Sequence, residues 1–172
     1  MDERDWGRSL LLDAVGARLD GVARAFHEHR GRVDESRGAL QLSFAGGRIL
    51  HLTTAINGES VWVRPGPWTD PLADPDEGID EAWAREHGQE VLVDVSTRSG
   101  YAEAVGERLD GARWLANEHG SVAGVEMRFG PALLTFVSWG DDEYVFAGAA
   151  SAIPAEWGMT PVPSPSPEVA RS

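Results

Sequence analysis

The chain repeats itself, and that limits its possible folds more than any other feature. Ala14 to Gly21 (AVGARLDG) returns as Ala104 to Gly111 (AVGERLDG), with seven of eight positions identical. The correspondence continues in order. His27-Glu28-His29 falls on Asn117-Glu118-His119, Leu40 to Phe44 on Val125 to Phe129, Leu50 and Leu52 on Leu134 and Phe136, and Gly58 and Trp62 on Gly140 and Tyr144. Blocks repeated in one order mark a duplication with shorter loops in the second copy. The expected architecture is one globular domain, residues 1–160, made of repeat 1 (1–78) and repeat 2 (79–160) packed about a pseudo-twofold axis around a shared core. Residues 161–172 are expected to form a disordered Pro/Ser tail.

Within each copy the hydrophobic period is two. Leu40, Leu42 and Phe44 alternate with Gln41 and Ser43, as Val125, Met127 and Phe129 do with Glu126 and Arg128, which reads as half-buried strands. Glycine-rich turns lead from these to strands over 48–54 and 132–139, then over 60–64 and 143–147. A strand of about 19–27, repeated at 109–117, adds a fourth to each antiparallel meander. It follows a short helical turn ending near Gly16 or Gly106, because two glycines inside one helix would each cost about 1 kcal/mol relative to alanine. A loop over 65–80, a short helix over 79–87 and a strand over 90–96 join the copies. The fold class is therefore α+β and β-rich, with one or two short helices.

Chemistry is limited by what is missing. The chain has no cysteine and no lysine, so disulfides, thiolate chemistry, P-loop phosphate binding and Schiff bases do not arise. A net charge of −13 repels phosphate backbones and anionic membranes. No stretch approaches a bilayer span and the opening residues lack a signal-peptide pattern, so the expected location is the cytoplasm. No nucleophile-elbow or dinucleotide-binding motif occurs, so no catalytic residue is assigned and no cofactor is expected. His27 and His29 point the same way on a strand and could meet His51, but the spacing matches no metal motif and polar turn chemistry accounts for it equally well, so no metal is expected. Gly140 to Glu143 likewise reads as a turn, not a calcium loop.

The remaining signal is acidic and aromatic. Val61 and Val63 alternate with Trp62, so if the valines face the core, Trp62 lies on an outer sheet face, where an aromatic residue can anchor a partner. Trp68 lies in the acidic loop with Asp70, Asp74, Asp76, Glu77, Asp80 and Glu81. These eight residues are the expected partner-binding set, and a basic protein is the expected partner. The stretch from Val105 to Leu109, Trp139 to Phe146 and Trp157-Gly158-Met159 resembles small uncharacterised proteins of actinobacteria, a likeness that carries no activity with it. In size, charge and class the chain also resembles the immunity proteins of bacterial toxin systems, which implies neutralisation of a basic partner without catalysis. Two alternatives stand beside this. One is a small-molecule binding protein or enzyme using a cleft between the repeats, with His27, His29, His51 and His119 as its titratable groups. The other is a structural subunit or homodimer that uses an exposed sheet edge.

Overall fold

The computed structural model describes residues 3–71, 73 and 80–163. Helix α1 (Glu3–Leu12) is followed by strands β1 (Leu19–His29), β2 (Arg32–Asp34), β3 (Leu40–Phe44), β4 (Arg48–Thr54) and β5 (Val61–Pro65). Helix α2 (Glu81–His87) and β6 (Gln89–Asp94) lead to β7 (Leu109–Ala116), β8 (Val122–Phe129), β9 (Ala132–Trp139), β10 (Asp142–Gly148) and a short β11 (Thr160–Pro161). The protein is α+β and β-rich, with two antiparallel sheets.

Each sheet is built on a four-stranded meander, β1-β3-β4-β5 in the first and β7-β8-β9-β10 in the second. The alternation read from the sequence decides their faces. Leu40, Leu42, Phe44, Leu50, Leu52, Val61 and Val63 of the first sheet meet Val125, Met127, Phe129, Leu134 and Phe136 of the second in one continuous core. The rings of Phe44 and Phe129 stack across it, 6.4 Å apart. Burying such side chains is the main favourable term, about 1.5–3 kcal/mol each.

The repeated AVGxRLDG motif has a structural cause. Gly16 and Gly106 have φ of 85° and 92°, a conformation that glycine adopts without strain. Their N–H groups donate to Leu109 O and Leu19 O respectively, each at 2.8 Å. Leu19 N then donates to Glu107 O and Leu109 N to Ala17 O, so the two motifs hydrogen-bond to each other reciprocally. After Leu19 and Leu109 the pairing slips by one residue, giving a bulge just before Gly21 and Gly111 in both copies.

Several features depart from the sequence expectation. The helix before Gly16 runs ten residues, whereas the second copy has only turns at that place. β6 pairs with β1 and so joins the first sheet, although it lies beyond residue 78. β2 and β11 were not expected, because three-residue and two-residue strands leave no periodicity to read. Pro161 pairs with Leu115 and Val162 N donates to Trp114 O, so this pairing runs into the segment expected to be a disordered tail. The rest of that tail, 164–172, lies outside the described residues. No helix among the described residues is long and apolar enough to cross a membrane.

Asp80 starts α2. Its carboxylate accepts from Ala82 N at 2.8 Å and Trp83 N at 3.0 Å, satisfying two amides that the helix leaves without partners. Asp80→Ala is expected to cost about 1 kcal/mol, read as a lowered urea midpoint.

Candidate functional site: a cleft on the outer face of the first sheet

Ala23 pairs with Gln41 on one side and Asp94 on the other, so β1 lies inside the first sheet, between β3 and β6. Across this sheet Gln41 sits opposite His51, His51 opposite Arg64, and Thr53 opposite Trp62. All five alternate with core residues and therefore share the outer face. On β1 and β6, His27 sits opposite Glu90.

A strap formed by residues 66–71 crosses this face. It leaves β5 at one edge and is held at three points. Gly66 O accepts from His51 Nδ1 at 2.9 Å, Trp68 N donates to Gln41 Oε1 at 2.8 Å, and Glu90 N donates to Asp70 Oδ2 at 3.1 Å. Because a carbonyl only accepts, His51 Nδ1 carries the proton of this hydrogen bond.

The strap, the 34–39 loop and the β9–β10 hairpin enclose a cleft of about 740 Å³, large enough for a small ligand or a few side chains. Six carboxylates line it, from Asp34, Asp70, Glu90, Asp141, Asp142 and Glu143, against two arginines, Arg37 and Arg64. Arg37 is already engaged, bonding Asp142 at 2.8 Å and Asp34 at 3.3 Å. Asp142 first and Asp34 second hold its guanidinium more firmly charged. Hydrogen bonds from the Ser36 hydroxyl and amide keep the Asp34 carboxyl below its usual pKa. Arg64 lies over the Trp62 ring, 4.1 Å from its centroid.

Glu143 comes from the second copy, on the core side of edge strand β10. Its carboxylate accepts from Thr54 N at 2.6 Å. Burial raises its pKa to about 7; the Thr54 bond and Arg24 oppose the rise, and Glu90 and Asp142 add to it. Arg24, itself 2% exposed, bonds Gly38 O, Ala39 O and the Tyr101 hydroxyl, so it fixes the loop that walls the cleft.

The structure sorts the residues read from sequence. Trp62, Trp68 and Asp70 line the cleft, with Trp62 on the outer face as its alternation implies. Asp80 and Glu81 do not line it; they open α2, where a carboxylate is favoured next to the helix dipole. Asp74, Asp76 and Glu77 lie outside the described residues. Of the four histidines, His27 and His51 line the cleft. His29 does not, and its Nε2 is buried without a hydrogen-bond partner among the described residues. His119 is exposed beside Glu118 in the second copy. The residues that sequence reasoning missed include Asp34, Arg37, Gln41, Arg64, Glu90 and Glu143, together with the place of Asp141 and Asp142 in the wall.

No family model, curated protein or solved structure matches the chain.

Proposed function

We propose that the protein is a non-enzymatic, acidic protein-binding module whose cleft receives a basic segment of a partner. The observation that carries this reading is the lining of the cleft: six carboxylates and two tryptophans against two arginines, one of which, Arg37, is already held by Asp142 and Asp34. Opposite charge steers association and suppresses wrong partners, while a tryptophan at the centre of a contact supplies affinity. Neutralisation of a basic toxin, as immunity proteins achieve it, is the instance that size and charge favour. A reducing, cytoplasmic setting suits a chain without cysteine. The reading takes residues 1–78 and 79–160 as copies about a pseudo-twofold axis, which the reciprocal bonds at Leu19 and Leu109 support.

Tagged protein is expected to hold a basic partner that is released as ionic strength rises. Trp68→Ala and Glu90→Gln are each expected to weaken capture at least about tenfold, as interface truncations of this kind do. Capture by both variants at the wild-type level would overturn the proposal.

A second reading is favoured by Glu143. A carboxyl with a pKa of about 7, in a cleft lined by both copies and by His51, suits a small-molecule binding protein or an enzyme. Neutral small molecules that raise the melting temperature of the wild type, but not of His51→Ala, would move the assignment there.

A further inference from the structure

The edges of the two sheets are not equally covered. Helix α1 lies against the β5 edge, where a Cβ added at Gly7 would stand 3.2 Å from Val63 O. On β10, Glu143 O accepts from Gly38 N at 2.8 Å, and a Cβ at Gly100 would stand 2.7 Å from Ala147 O. Part of the β7 edge pairs with β11. Among the described residues β6 pairs with β1 alone, and nothing lies along its other side.

The hydrogen bonds fix which backbone groups of β6 stay open. Val95 N donates to Val22 O on one side of β1, and Ala25 N to Ala39 O on the other. Val22, Arg24, Phe26 and Glu28 therefore turn their backbone groups toward β6, where Val95, Val93, Val91 and Gln89 meet them. The N–H and C=O groups of Glu90, Leu92 and Asp94 point away from the sheet. Asp70 covers one of these, its Oδ2 accepting from Glu90 N at 3.1 Å. Leu92 and Asp94 keep both groups open among the described residues, and the Leu92 side chain is 43% exposed. An open edge of this kind is a template for another strand.

Charge selects the strand. Glu90, Leu92 and Asp94 share the outer face of the sheet, so an added strand meets them as an acidic, apolar, acidic row. Hydrogen bonds from the Ser96 hydroxyl and amide hold the Asp94 carboxyl below its usual pKa, and it makes no ion pair among the described residues. Glu90 meets His27 through Oε1 at 3.2 Å. A second copy centred on Leu92 would set Glu90 against Asp94 twice, and like charges directly opposite are destabilising. We propose that the β6 edge receives an extended segment of a partner protein as an added antiparallel strand, with an apolar residue opposite Leu92 and a basic residue opposite Asp94. This contact goes beyond the cleft and does not rest on it.

Amide hydrogen exchange, followed residue by residue by NMR on the full chain, tests the edge. The probes are acetyl-Arg-Thr-Val-Thr-Arg-amide, its acidic counterpart acetyl-Glu-Thr-Val-Thr-Glu-amide, and the basic peptide N-methylated at its valine. Without peptide, the Leu92 and Asp94 amides are expected to exchange faster than those of Val91 and Val93, which face β1. The basic peptide at millimolar concentration is expected to slow both at least about threefold, and the other two peptides to leave them unchanged. Leu92→Pro removes an amide that points away from β1, a position where an edge strand tolerates proline, and is expected to abolish the protection at Asp94. Asp94→Asn keeps an oxygen for Ser96 and is expected to weaken the basic peptide by up to about fivefold. A basic peptide that binds without protecting Leu92 and Asp94, or an acidic one that protects them equally, would overturn the strand addition and leave capture in the cleft untouched. Sedimentation showing a dimer whose Leu92 and Asp94 amides are already protected would also overturn it, giving the edge to a second copy.

Discussion

Gly38→Ala is expected to destabilise the protein by more than about 3 kcal/mol, whereas Gly46→Ala is expected to cost only about 1 kcal/mol. Both glycines have positive φ, 134° and 83°, so both substitutions carry a conformational cost. They differ in surroundings. A Cβ on Gly46 meets nothing within 4 Å, but one on Gly38 would stand 1.6 Å from Ala25 O and 2.8 Å from its carbonyl carbon. Those atoms belong to β1, which is paired on both sides and cannot yield. Any shift of Gly38 also breaks its N–H bond to Glu143 O and deprives buried Arg24 of one of its acceptors. Leaving such a group unsatisfied adds its own penalty. Urea unfolding of the two variants measures the difference. Equal losses of stability would show that the loop is not held against β1 as described.

The second large effect follows from Glu143. In the unfolded chain its carboxyl ionises around 4.5, while in the folded protein it holds its proton to about 7. Between these values the unfolded state releases a proton that the folded state keeps. The stabilisation is therefore complete below 4.5 and is lost as pH rises to about 7. The gap corresponds to roughly 3 kcal/mol. Glu143→Gln removes this titration and keeps an oxygen for Thr54 N. The variant is expected to gain on the wild type by roughly 3 kcal/mol between pH 4.5 and 7, with no further gain above. The groups acting on Glu143 are Arg24 from β1, Glu90 from β6 and Asp142 from its own strand, the last held by Arg37. Denaturation midpoints of both proteins across this range supply the test, and a constant difference would refute the assignment. A cation entering the cleft favours ionised Glu143, so binding is expected to strengthen as pH rises through 7.

The meanders were legible because their determinants are local. Leu40, Leu42 and Phe44 alternate with polar residues, and glycine turns bound each strand, so strand and face follow from spacing alone. The same logic placed Trp62 on the outer face. It could have placed Gln41, His51 and Arg64 there as well, but their convergence depends on the register between strands, which spacing within one strand does not carry. Glu143 was harder to see. Its neighbours Asp141 and Asp142 read as turn chemistry, correctly for the hairpin, yet its environment comes from Thr54, some 90 residues away in sequence. The membership of β6 in the first sheet is equally non-local.

In each copy the chain crosses the outer face of its own sheet after the fourth strand, and the two crossings end differently. Behind β10, Trp157 stacks on Trp139 at 5.2 Å with its edge contacts to Tyr144 and Phe146. There the aromatic rings close the surface. Behind β5, Trp68 is tied down through its backbone over polar neighbours, and a cleft remains. The second sheet thus offers an internal comparison for the first. Grafting aromatic side chains at His51 and Arg64 would ask whether the open copy can be converted into a second sealed one.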